Sequence, residues 1–383
     1  MVNFVFLSVY FYSVPNLRFS SFTDLFRLYT LKDVLQRVSI PVNVEENKLY
    51  YQIGIRSHSK GIFHKEAETG KQIGNKRIFW IEPNCMILNI VFAWEQAVAK
   101  TSEKEVGMVA SHRFPMYKVL NNSLDYIVDF FKTEKGKQLL QMASPGGAGR
   151  NKTLNQDFFL NSKIYLPSLN EQLKTSNLID LIEDRIETQS KIINDYKILK
   201  KHIIKSFIKQ NGTSYLLSEI AELGRGRVIN SAEISKQKNP IYPVYSSQTS
   251  NNGIMGYLDN YDYEGEYITW TTDGANAGTV YYRNGKFNCT NVCGILKIKN
   301  GYDAYYISNI LNCYTKKYVS TNLANPKLMN NVMANIKINL PSIEQQKHSS
   351  KILQSIEYRV EIEEDIKLNL VKQKAFLLKN MFI

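Results

Sequence analysis

The side chains in this sequence best suited to a chemical task sit in glycine-punctuated loops among aromatic residues. In the first third they are Arg56, Ser57, His58 and Lys60 between Gly54 and Gly61, then Lys76 and Arg77, His112 and Arg113, and Arg150 and Lys152. Further on they are Arg225 and Arg227 in a Gly-Arg-Gly-Arg run, Ser246, Ser247 and Gln248, Thr271, Thr272 and Asn276, and Lys327. Arginine and lysine can pair with both acceptor atoms of a guanine edge, and asparagine or glutamine with an adenine edge. Hydroxyls and backbone amides can hold phosphates. One such loop is more often an ordinary turn; several on one basic chain favour contact with bases or phosphates.

Catalytic chemistry has little footing. There is no phosphate-cradling P-loop, no G-x-S-x-G elbow and no H-E-x-x-H zinc motif. Gly146–Gly149 is glycine-rich but follows a predicted helix rather than a strand, which argues against a dinucleotide site. Asn239-Pro-Ile-Tyr242 has only a faint likeness to the Asn-Pro-Pro-Tyr of adenine methyltransferases, without a glycine-rich cofactor motif. Glu266 and Asp273 have no carboxylate-lysine motif beside them. No cofactor or metal is expected on this chain. The cysteines, Cys85, Cys289, Cys293 and Cys313, lack the paired spacing of a zinc site and read as buried thiols of a reducing cytoplasm.

The charge fits the loops. Lys and Arg number 48 against 35 Asp and Glu, a formal charge of +13. That surplus suits a polyanion, since each phosphate neutralised releases condensed counterions. At 383 residues with 44% hydrophobic content, the chain has length for two or three domains. Met1–Val14 is apolar, yet no Lys or Arg precedes Arg18, so the basic start of a signal peptide is missing. No run approaches the length of a membrane span, and we expect a cytoplasmic protein.

What positions the loops is a repeat. Residues 161–208 and 335–382 align without gaps at an offset of 174. Both begin on a strand end and Leu-Pro-Ser, and they match at Gln172/Gln346, Ser176/Ser350, Glu183/Glu357, Arg185/Arg359, Glu187/Glu361 and Lys200/Lys374, among others. Pro167 and Pro341 end the strands, and Ser168 with Glu171 and Ser342 with Gln345 are spaced as capping boxes. Neither copy then holds Pro or Gly for almost forty residues, so each predicts a helix of roughly 55–60 Å. The apolar seams run Leu178, Ile182, Ile192, Tyr196, Leu199, Ile203 and Ile352, Ile356, Ile366, Leu370, Leu377. Their near-heptad spacing calls for a partner helix. Arg185 with Gln189, and Arg359 with Glu363, interrupt the two seams at the same place. We expect the helices to pair antiparallel with these polar layers close together.

The globular starts repeat as well, Tyr29–Val34 against Tyr215–Ile220. The expected order is an N-terminal segment (1–27), a globular part (28–165), a helical spacer (166–213), a second globular part (214–339) and a second spacer (340–383). The fold class is α+β, with two mixed parts separated by two long helices in a pseudo-twofold repeat. Inside the globular parts, short apolar runs between turn residues predict strands. A helix is expected over Asn122–Met142, and another near Tyr302–Tyr318.

These features resemble the specificity subunits of type I restriction-modification systems. The likeness rests on Leu-Pro-Ser with a long helix occurring twice, on Pro15–Phe22, and on Tyr242–Gln248 and Thr269–Ala275, which are similar to common target-recognition segments. It spans nearly the whole chain, apart from the apolar N-terminus. The resemblance implies that each globular part reads one half of an asymmetric, bipartite site in double-stranded DNA, with the helices as the ruler. It implies two methyltransferase subunits docked on the helices and two restriction subunits. S-adenosylmethionine, ATP and Mg2+ would then be expected on those partners. Lengthening the first helix would change the gap between the halves. A coiled-coil adaptor for protein partners is the other reading, without salt-sensitive DNA binding; a self-sufficient DNA enzyme is a weaker one.

Overall fold

The computed structural model describes residues 14–146, 152–320 and 325–383. Its contacts divide the chain into two compact units, Met1–Gln189 with Ile366–Ile383, and Ser190–Asp365. Each unit therefore holds one globular part and a portion of both long helices. The helices run over Leu169–Ile208 and Ile343–Met381, 40 and 39 residues. At 1.5 Å per residue each is about 60 Å long, as the missing helix breakers require.

Both units place their long-helix portions antiparallel. In the first, Glu183 on one helix pairs with Lys374 on the other at 2.5 Å. In the second, Lys197 pairs with Glu364 at 2.7 Å and Lys200 with Glu357. Position rises along one helix as it falls along the other. Glu183–Lys374 and Glu357–Lys200 are the same contact under the 174-residue repeat, which gives those sequence matches their reason.

Arg185 lies two residues from the Glu183–Lys374 contact in the first unit, and Arg359 two residues from the Lys200–Glu357 contact in the second. Gln189 and Glu363 are buried, whereas Arg185 and Arg359 are exposed. The expected seams are corrected in part. Ile179, Ile193, Ile204 and Leu353 are buried, one residue on from the expected Leu178, Ile192, Ile203 and Ile352, and Leu199 and Ile366 stay exposed, while Leu370 is buried as expected. Each helix covers a globular part as well as its partner helix, so a simple heptad seam is too narrow a description.

The first globular part is built on a four-stranded antiparallel sheet, in the order Leu35–Val38, Met116–Val119, Met86–Leu88, Val98–Lys100. The single helix expected over Asn122–Met142 is two, Leu124–Lys132 and Glu134–Met142. The Thr133 hydroxyl donates to the Phe130 carbonyl at 2.6 Å and accepts from the Gly136 N–H at 3.1 Å, ending one helix and capping the next. The second part carries a six-stranded sheet, in the order Ala221–Arg225, Cys293–Ile298, Tyr263–Thr271, Val280–Cys289, Tyr242–Tyr245, Ile254–Leu258. The helix Ala304–Tyr314 lies inside the range expected from sequence.

The same joint ties each globular part to its helix. Two short antiparallel strands, Arg27–Thr30 with Lys163–Leu166 and Thr213–Leu216 with Lys337–Leu340, bring chain entry beside chain exit. Gln172 accepts from the Ser123 N–H at 3.0 Å and donates to the Pro167 carbonyl at 3.0 Å. Gln346 accepts from the Asp303 N–H at 3.1 Å and donates to the Pro341 carbonyl at 2.9 Å. Ser123 and Asp303 in turn cap the helices that follow them. The repeat breaks at the capping boxes. Ser342 and Gln345 form theirs. Glu171 instead takes both forks of Arg18 at 2.7 Å, so the N-terminal segment supplies a cation that the second copy lacks.

Beside this joint in the first unit, Lys132 bridges Asp129 at 2.8 Å and Glu183 at 3.0 Å. Burial would raise the Glu183 carboxyl, but the Lys132 and Lys374 ammonium groups hold it below the ordinary range. Asp129 is 2% exposed, and burial pushes its carboxyl up to about 6 against the pull of Lys132. Its folded-state value therefore lies above the unfolded one. The folded chain binds more protons between about pH 4 and 6, and this group makes stability fall as pH rises through that window. Asp129→Asn should remove that slope, worth about 3 kcal/mol across the window. Melting temperatures between pH 4 and 7 test this; an unchanged slope refutes it.

Candidate nucleic-acid interface

In the first globular part the Arg56–Lys60 turn, Arg113 and Lys152 meet one segment, Asn89–Ala97, while Arg77 and His112 bond each other. The hairpin of Ile53–Ile55 and Ile62–His64 carries Arg56 to Lys60 at its turn. That turn is held by His58 and Ser59 N–H groups donating to the Glu95 and Gln96 carbonyls at 2.7 and 3.0 Å, and by Ser57 donating to the Glu95 carboxylate at 2.9 Å. His58 and Ser59 both have positive φ, 59° and 55°. Lys152 lies over the Trp94 ring at 5.0 Å. The Arg113 carbonyl accepts from Ile90, while His112 donates its N–H to the Arg77 carbonyl at 3.2 Å. Arg56, His58, Lys60, Lys76, Arg77, His112 and Arg113 are all exposed, and Ser57 and Lys152 are half-buried. Arg150 lies outside the described residues.

In the second globular part the hub is the turn Thr290-Asn291-Val292. Arg225 donates to the Asn291 carbonyl at 2.5 Å, and Arg227 donates its backbone N–H to the Cys289 carbonyl at 3.1 Å. Ser246 meets the Thr290 hydroxyl at 3.3 Å, and Thr272 donates its N–H to the Val292 carbonyl at 3.0 Å. Gly226 is required here, because a Cβ would stand 2.3 Å from the Cys289 carbonyl oxygen. Gly226→Ala should therefore push this strand off the turn and cost about 2 kcal/mol or more, as overpacking against rigid backbone does. Urea unfolding of the second unit measures it; a cost below about 0.5 kcal/mol would count against the close approach.

Two of the expected contacts are corrected. Thr271 and Thr272 are 1% and 0% exposed, the first as the last residue of its strand and the second with its hydroxyl taken up by Arg225 and Asp273. Thr272 supports the surface through Asp273, to which it donates at 2.6 Å. The arginines are held by carboxylates that the sequence reading did not connect with them. Arg225 and Lys327 share Asp273, at 3.1 and 3.6 Å, and Arg227 binds Glu233 and Asp262. Their positions are thus preset, with hydrogen bonds that raise the Arg227 pKa further. Asn276 donates to Thr249 at 3.3 Å, and Ser247 and Gln248 remain half-buried beside it. Asp262 and Asn291 left no local signal, since each becomes relevant only where distant strands meet, whereas Glu233 lies six residues from Arg227 on the helix Ser231–Ser235.

Among the described residues no cluster of side chains is arranged for a metal, and no helix is long and apolar enough to cross a membrane. Cys85, Cys289 and Cys293 are buried free thiols, while Cys313, expected to be buried, is exposed.

The geometry defines a duplicated scaffold that carries two unlike sets of exposed, cation-bearing loops. The family model for the type I restriction modification DNA specificity domain matches residues 211–373. A type I specificity subunit N-terminus of Mycoplasma pneumoniae is 43% identical over 142 residues, which is 37% of this chain and 75% of that one. Another specificity subunit of that organism is 36% identical over 199 residues, 51% and 82% of the two chains. Against the specificity subunit of the restriction enzyme MpnII, identity is 42% over 146 residues, 38% of this chain and 43% of that one. The crystal structure of a type I S subunit from M. genitalium shares the fold, with a TM-score of 0.64 at 14% identity, covering 97% and 99% of the chains. The chain belongs to the family of type I restriction-modification specificity subunits.

Proposed function

We propose that the chain reads a bipartite, asymmetric DNA site for a type I restriction-modification complex, each globular part reading one half. What carries this reading is the contrast between joint and loops. Both parts are fixed to long helices by the same glutamine clamp, Gln172 and Gln346, while the exposed loops they present differ in residue and shape. A common frame with unlike contact surfaces suits two different half-sites on one duplex. The +13 charge supplies sequence-independent attraction to phosphates.

The helices carry the docking surfaces, on faces where Arg185 and Arg359 match between the copies and both are exposed. Two methyltransferase subunits docked there would bring S-adenosylmethionine and perform the base extrusion that adenine methylation needs. Two restriction subunits would bring ATP and Mg2+. The chain itself holds none of these cofactors and catalyses nothing, and it works on cytoplasmic DNA.

The test is modular. The chain is co-expressed with its methyltransferase partner, and adenine methylation is mapped across the genome. Exchange of residues 28–160 for those of another specificity subunit should change one half of the methylated motif and leave the other. Alteration of both halves, or of neither, defeats the reading.

A further inference from the structure

We propose that Arg283 is a positioning residue that sets the loop Ser246–Gly253 as a base-reading loop of the second recognition domain, with the Asn251 amide as the group that meets a base edge. This rests on the DNA-reading role proposed above and deepens it.

Arg283 is 4% exposed. Its guanidinium lies between two rings, 3.6 Å from the Tyr245 centroid and 4.4 Å from that of Tyr281. Burial lowers its pKa, and the groups that pull the other way are Tyr245, Cys289, Cys293 and Tyr281, with no carboxylate of the described residues among them. Taking a cation out of water without a counter-ion is costly. Such a residue persists where its hydrogen bonds hold something else in place. Arg283 donates to the Thr269 hydroxyl at 3.2 Å and to the Asn252 carbonyl at 2.9 Å. The second bond reaches into the loop.

The loop needs holding. Asn251, Asn252 and Gly253 have successive positive φ values of 48°, 52° and 83°. Two adjacent asparagines in the left-handed region are unfavourable, and such conformations concentrate where a chain contacts a ligand. Further bonds brace the same loop. Ser246 donates its N–H to the Gly253 carbonyl at 2.9 Å, the Gln248 amide donates to the Ile254 carbonyl, and Asn276 donates to Thr249. A Cβ on Gly253 would come within 3.1 Å of the Arg283 guanidinium. Fixed at its base, the loop holds Asn251 outward and exposed. An asparagine amide offers one donor and one acceptor, which matches the N7 and N6 pair of adenine in the major groove. A preset amide loses little freedom on binding and so discriminates well.

The experiment uses the full chain with its methyltransferase partner and the methylated motif as readout. Asn251→Gly keeps the left-handed backbone and removes the amide. It should relax one base pair of the second half about tenfold, with the first half and the melting temperature unchanged. Arg283→Lys keeps a charge but not the planar sandwich, and should relax several positions of the second half only. Arg283→Ala should do the same if it accumulates; if it does not fold, Asn251→Gly and Arg283→Lys decide. An unchanged motif in Asn251→Gly overturns the proposal. So does a uniform loss of methylation with loss of the co-purifying methyltransferase, which would make the loop a protein contact. If the wild-type complex methylates no bipartite site, the DNA-reading role itself fails, and the two failures are told apart.

Discussion

Gln172→Leu should destabilise the first unit by about 2–5 kcal/mol. The glutamine side chain is 1% exposed and answers two buried backbone groups, the Ser123 N–H and the Pro167 carbonyl. Leucine fills much of the volume but leaves both without partners, and an unmet buried polar group costs about 1–3 kcal/mol. The Asn122 side chain, which accepts from Gln172 at 2.7 Å, loses its donor too. Gln346→Leu should cost the second unit a similar amount through Asp303 and Pro341. Because the two joints share no partners, the double variant should lose the sum within about 0.5 kcal/mol. Denaturant unfolding of the single and double variants measures these values. A loss under 0.5 kcal/mol in either single variant would mean that the joints are not what fixes the domains to the helices.

The second large effect concerns assembly. Reversing both matched arginines, Arg185→Glu with Arg359→Glu, should weaken methyltransferase binding about a hundredfold, since a misplaced charge at an interface costs several kcal/mol. Arg185 is exposed, but Arg359 pairs at 2.6 Å with the buried Glu363, so Arg359→Glu also costs the fold some stability and the single variant Arg185→Glu isolates the loss of docking. Titration calorimetry of wild type and variant against the methyltransferase gives the ratio, and circular dichroism checks the helices. Equal affinities would place the docking surface elsewhere.

Sequence alone determined the repeat, and with it most of the architecture. Proline before each helix and the long absence of Pro and Gly after it leave a helix of about forty residues as the regular outcome. The matches at Gln172/Gln346 and Glu183/Glu357 record contacts made twice, so they were visible without coordinates. The helix near Tyr302–Tyr318 followed from apolar periodicity for the same reason: the signal lies within one element.

Tertiary structure decided what depends on residues far apart in the chain. Arg18 displaces a capping box at Glu171 across more than 150 positions, and nothing local to Ser168 announces it. Thr271 and Thr272 looked like contact residues by type, yet packing from other parts of the domain buries both. Asp273 gathers Arg225 and Lys327, and Arg283 reaches Asn252, only because strands from separate stretches lie side by side. Local preference is written in neighbouring residues. Burial and electrostatic pairing belong to the folded surface, and they chose which of many basic loop residues are free to meet a ligand.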